Sequence, residues 1–133
     1  MTPERRRKYR QGLCDAMALG LHRLTGLPLV KIVGFRRRCE EPAHAAVKAG
    51  EWWIDVDGLH QGVPTARLTW LRKPDRIAFR PSSVEEVTHL YTVSGVPESE
   101  IQTAIKDALE DSTLAPIIRR FRSGPQSRRS RRS

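Results

Sequence analysis

Three side chains in the first half of the sequence have the types needed for a nucleophile, a base and an orienting acid: Cys14, His44 and Asp55. A thiol attacks a carbonyl carbon as its thiolate, and both a helix amino terminus and a neighbouring imidazolium favour that form. Cys14 follows Gly12 and Leu13, and Met17, Ala18 and Leu21 recur behind it at helical spacing. The sulfur is therefore predicted at the start of a helix whose apolar face packs on a sheet. An imidazole can take the thiol proton and return it to a leaving group. His44 comes directly after Pro42 and Ala43 and opens a strand-like run, which projects it from the sheet edge. Asp55 stands in the apolar run Trp52-Trp53-Ile54-Asp55-Val56, where a carboxylate is costly unless something pairs with it. Strand alternation puts Trp53, Asp55 and Asp57 on one face and Trp52, Ile54 and Val56 on the other. A hairpin turning at Ala49-Gly50 brings Asp55 opposite a residue near His44, where it can hold the imidazole tautomer. Asp57 is the second candidate acid, although its place before Gly58 fits a turn residue.

The remaining reactive side chains offer less. Cys39 lies between Arg36-Arg37-Arg38 and Glu40-Glu41 and reads as a thiol in a charged loop. His22 falls away from Cys14 around the helix and is expected at the surface. His60 follows Gly58-Leu59 and reads as a loop histidine beside the cleft. Cys14, Cys39, His44 and His60 have no close-pair spacing of the zinc-ligand kind, so no metal is expected. No glycine-rich phosphate loop is present, and no cofactor is called for.

These residues need elements to position them. Thr2, Pro3 and Glu4 form a helix start, which Gly12 breaks. The helix beginning near Cys14 is expected to stop at Gly26, with Pro28 barring continuation. Strands follow over residues 29–35, 44–48 and 51–56, with Gly58 ending the hairpin. Residues 61–65 read as loop, 67–72 as strand or helix, and 76–80 as a further strand. Ser83 with Glu86 three residues on is a capping box. A last helix runs from Pro97 through Ile101, Ile105 and Leu109; Asp111-Ser112 breaks it, and Pro116 opposes a restart. The fold class is α+β: a nucleophile helix packed on a small antiparallel sheet, then C-terminal helices. Residues 1–122 form one domain and residues 123–133 a disordered basic tail.

The segments Cys14-Asp15-Ala16-Met17-Ala18-Leu19, Thr25-Gly26-Leu27-Pro28, His44-Ala45-Ala46-Val47 and Gly50-Glu51-Trp52-Trp53-Ile54-Asp55 together resemble the core of the papain-like superfamily, closest to its transglutaminase-like branch. The likeness covers residues 12–60. It implies Cys14 as nucleophile, His44 as base and Asp55 as orienter, acting on an amide through a thioester. The branch often carries an aromatic near the Cys or two positions after the His-Ala start; here those places hold Asp15 and Ala46. Papain-like enzymes often use an upstream Gln or Asn in the oxyanion hole. Gln11 is the one upstream candidate, and its spacing to Cys14 is unusual. The N–H of Cys14 is a donor in any case.

Composition bounds the function classes. With 38% apolar and 29% charged residues among 133, the chain has the make-up of a domain with its own core. No long uncharged apolar run exists, so no membrane partner is expected. Two cysteines and no secretory signal suggest reduced thiols and a cytoplasmic location. The net charge of +9 is concentrated in Arg5, Arg6, Arg7, Lys8 and Arg10 and in the tail from Arg119. Basic termini of this kind attract nucleic acid. Two functions result: a thiol hydrolase or acyltransferase on a protein or peptide amide, or a basic nucleic-acid-associated binding protein on an inactive papain-like scaffold.

Overall fold

A computed structural model of the chain describes residues 1–62 and 76–122. The segments 63–75 and 123–133, which include most of the expected loop at 61–65, the ambiguous stretch at 67–72 and the basic tail, lie outside the described residues. The architecture is α+β, with a small antiparallel sheet and helices.

Helix α1 spans Pro3–Gln11, and the hydroxyl of Thr2 caps it by accepting from the Arg5 N–H at 3.1 Å. Gly12 ends it. Helix α2 spans Cys14–Thr25 and stops at Gly26, whose φ of +73° is the left-handed cap that glycine adopts without penalty. Only one face of α2 was expected to be buried. In fact every residue from Cys14 to Leu21 is buried, because the sheet covers one side while α1 and later helices cover the others. Gly20 permits part of this: a Cβ there would meet Ile105 Cγ1 at 3.2 Å.

Five strands follow: β1 Leu29–Arg36, β2 Cys39–Ala49, β3 Trp52–Asp55, β4 Gly58–Gln61 and β5 Arg76–Pro81. Their spatial order is β4-β3-β2-β1-β5, every neighbouring pair antiparallel. β2 begins earlier than periodicity suggests. Arg37 and Arg38 adopt left-handed φ values of 49° and 69° and make a two-residue hairpin turn, so Cys39 pairs with Arg36 instead of lying in a loop. The β1–β2 register shifts between Ile32↔His44 and Val33↔Pro42. A bulge there suits Pro42, which has no N–H for the ladder, and it re-aims the strand just before His44. β4 also departs from expectation. Gly58 begins a strand instead of ending the hairpin, and Trp53 pairs with His60.

The sheet has two apolar faces. Leu29, Ala45, Val47, Ile54 and Val56 join α2 in the main core, while Val30, Ile32, Ala46 and Trp53 form a smaller cluster with Ile77 and Phe79. Beyond β5, α3 spans Val84–Thr88, with the Ser83 hydroxyl accepting from the Glu86 N–H as the capping box requires. Helix α4 spans Glu98–Glu110, and a further helix, α5, occupies residues 114–122. Pro116 does not prevent this restart. It falls in the first turn, where its missing N–H is not needed, and Asp111 caps the helix by accepting from the Thr113 and Leu114 amides at 3.1 and 3.0 Å.

Three of the amino-terminal arginines take part in ion pairs within the fold. Arg5 pairs with Asp107 and Arg6 with Asp111, at 3.2 and 2.5 Å, and Arg10 grips Asp57 with both nitrogens. Between them Tyr9 is fully buried and donates to Asp107 at 2.6 Å. Helix α1 is thereby fastened to α4, to the start of α5 and to the β3–β4 turn.

Candidate active site

Asp55, near the end of β3, is 4% exposed yet fully partnered. Its Oδ2 accepts from His44 Nε2 at 3.0 Å, and its Oδ1 accepts from His60 Nε2 at 2.7 Å and from the Asp57 amide at 2.9 Å. Burial would raise its pKa, but the bonds from His44 and His60 outweigh burial and hold the carboxyl well below the usual range. Trp53 floors the cluster, 4.3 Å from the His60 ring and edge-on to His44 at 6.3 Å.

The neighbouring imidazole is tuned in the opposite direction. His44 is 6% exposed, and burial pushes its pKa down. The hydrogen bond to Asp55 and, after it, the interaction with the nearby Cys14 sulfur more than reverse this and raise it to about 9. Because a carboxylate only accepts, Nε2 is the donor to Asp55, and Nδ1 is the ring nitrogen that this bond leaves open. The β2–β3 ladder covers only Val47–Ala49 against Trp52–Ile54, so His44 lies beyond it, where the first turn of α2 meets the sheet.

Cys14 is the first residue of α2 and is 2% exposed. Its Sγ lies 3.4 Å from the hydroxyl of Tyr91, which follows α3. The Tyr91 ring remains 37% exposed while its hydroxyl turns inward. Burial first, then the sulfur beside it, raise the phenol above its ordinary pKa, so the hydroxyl keeps its proton. Asp15 is also buried, which raises its pKa against the opposing bond from the Ala16 amide.

The structure thus brings Cys14, His44 and Asp55 into one constellation. It places Gln11 elsewhere: exposed at the end of α1, lining a surface hollow of about 700 Å³ with Glu4, Arg7, Lys8, Gly12 and Leu13. Asp57 holds Arg10 through its carboxylate and reaches Asp55 only through its amide. Cys39 is exposed at the start of β2. His22 is half-buried, not at the surface, and bonds the Leu27 carbonyl at 2.7 Å.

No family model, curated protein or solved structure matches this chain.

Two residues at the site were not expected. His60 was taken for a loop residue, but the Asp57-Gly58 dipeptide is a hairpin signal. A two-residue turn at Asp57-Gly58 sets His60 opposite Asp55 and on its face; the observed turn, at Val56-Asp57, keeps that face and sets His60 opposite Trp53. Tyr91 had no such signal; it lies 77 positions from Cys14, and only the tertiary fold joins them. Among the described residues no group of three or more His, Cys, Asp or Glu side chains has the geometry to hold a metal ion. None of their helices is long and apolar enough to cross a membrane.

Proposed function

We propose that this chain is a thiol hydrolase or acyltransferase acting on an amide bond, built on a papain-like core of the transglutaminase-like kind. One observation carries the proposal: a buried imidazole bonded through Nε2 to a carboxylate lies near enough to a helix-start thiol for the two to interact.

The chemistry runs as acyl transfer. Sγ of Cys14 attacks the amide carbonyl carbon, and a C–S bond forms as the carbonyl π electrons move to oxygen. The N–H of Cys14 donates to that oxyanion, since first-turn amides have no intrahelical carbonyl partner. When the C=O re-forms, the C–N bond breaks and the imidazolium of His44 gives its proton to the departing amine. His44 then takes a proton from water or from a second amine, which attacks the thioester and releases the Cys14 thiol. Water gives peptide hydrolysis or side-chain deamidation; an amine gives a new amide. Asp55 holds the ring throughout.

Iodoacetamide labelling followed by mass spectrometry tests this. Cys14 is expected to react faster than the more exposed Cys39 at about pH 6 to 7. His44→Ala is expected to slow Cys14 about tenfold or more and leave Cys39 unchanged, with a smaller loss for Asp55→Asn. If the Cys14 rate is indifferent to His44, the cysteine is a packed core thiol and the proposal fails. The nucleic-acid reading draws no support from α1, whose Arg5, Arg6 and Arg10 already face carboxylates.

A further inference from the structure

Asp55 serves two imidazoles, not one. A triad needs a single histidine, so the second is unexplained. His60 cannot be dismissed as a chance neighbour. Its bond to Asp55, at 2.7 Å, is shorter than that of His44, at 3.0 Å, and it goes to the other oxygen. One fixed partner backs the ring besides Asp55: its cross-strand neighbour Trp53 packs on it at 4.3 Å, tilted by 36°, and Trp53 is itself tied through its indole N–H to the Gly62 carbonyl at 2.8 Å.

We propose that His60 is a positioning residue that divides the charge of Asp55 between two imidazoles and so limits the basicity of His44. This rests on the acyl-transfer proposal above. An acid–base residue works best when its pKa lies near the operating pH. A buried carboxylate directed wholly at His44 would bind the His44 proton too tightly for its return to a leaving amine. A second N–H on Oδ1 draws off part of that charge.

Loss of His60 has two opposing effects. The carboxylate gains freedom to turn, which weakens its hold on His44. Its charge also concentrates on the one remaining imidazole, which strengthens that hold. The second wins, because the Asp57 amide still pins Oδ1 at 2.9 Å and Asp55 stays enclosed. The other ionisable groups facing this cluster are Cys14 from α2, against His44, and Arg10 from α1, whose charge acts on Asp55 from beyond Asp57. Tyr91, with Asp15 near it, faces the sulfur.

The test separates the hydrogen bond from the stacking. His60→Phe keeps an aromatic ring against Trp53 and removes the donor; His60→Gln keeps a donor and removes the ring. The readout is the titration of the His44 ring by NMR in the full chain, with Cys14 alkylation measured across pH in parallel. In His60→Phe the His44 midpoint is expected to rise by about half a unit to one unit, roughly a three- to tenfold gain in proton affinity. In His60→Gln it is expected to stay near that of the parent. An unchanged or lowered midpoint in His60→Phe, or a shift in Gln but not in Phe, overturns the proposal and leaves His60 a packing residue. The NMR titration does not depend on catalysis. A His44 midpoint that responds to His60 beside a Cys14 that never responds to His44 would sink the acyl-transfer proposal and leave the charge division standing.

Discussion

The Cys14 sulfur is partnered and covered at once. Tyr91 is the polar group against it, and its ring reaches solvent, so removing that side chain opens a path. Tyr91→Ala is expected to raise the rate of Cys14 alkylation several-fold, and Tyr91→Phe to change it less because the ring remains; competitive labelling against Cys39 measures both. His44 also links the site to stability. Its folded pKa of about 9 lies above the ordinary value of 6.5, so its contribution is complete below about pH 6.5 and is lost as pH rises through 9. Asp55 works in reverse: its depressed pKa contributes stability above the ordinary carboxylate value and loses it only in strong acid. The thermal midpoint should therefore fall between about pH 6.5 and 9, and His44→Asn should flatten that slope in a calorimetric pH series. Legibility at this scale followed sequence distance. Cys14 announced itself by its place before a helical stripe, and His44 and Asp55 by a hairpin. Tyr91 was hidden because nothing local to residues 89–95 refers to residue 14.

Turns and caps decide the elements. Arg38 holds a left-handed φ of 69° without being glycine, a strain of roughly 1 kcal/mol. Arg38→Gly relieves it at some cost in unfolded-chain entropy, so a net gain of about 0.5 kcal/mol is expected in urea unfolding. Asp111 does two things: it caps α5 and receives Arg6, while only 4% exposed. Asp111→Ala removes both and strands a half-buried guanidinium, a loss of about 2 to 4 kcal/mol measurable in the same experiment. The sequence misled on elements where one residue had two meanings. Gly58 reads as the end of a hairpin and is the first residue of β4. Pro116 reads as an obstacle to a helix restart and is a first-turn residue. The β1, β5, α3 and α4 assignments rested on apolar runs and caps with a single meaning, and those elements formed as expected.

Across the whole sequence, the arginines fall into two groups. Arg5, Arg6 and Arg10 of α1 lie against acidic partners from distant parts of the chain, whereas Arg128, Arg129, Arg131 and Arg132 stand among serines with no apolar neighbour in sequence. A chain ending at Arg122 should keep its thermal midpoint and elute from a polyanion column at lower salt than the full chain. A drop in the midpoint would mean that the tail contributes to the body.

The spacing of the site's bonds along the chain also sets an order in time. His60 reaches Asp55 across 5 positions and His44 reaches it across 11, so both join within one short meander. Tyr91 meets Cys14 across 77, and closing a longer stretch of chain is entropically costlier and slower. A refolding molecule therefore assembles its imidazole–carboxylate pair first and shelters its thiol last. Between those events the sulfur stands uncovered beside a finished imidazole–carboxylate pair, and that interval, not the native state, is when an oxidant or electrophile reaches it most readily.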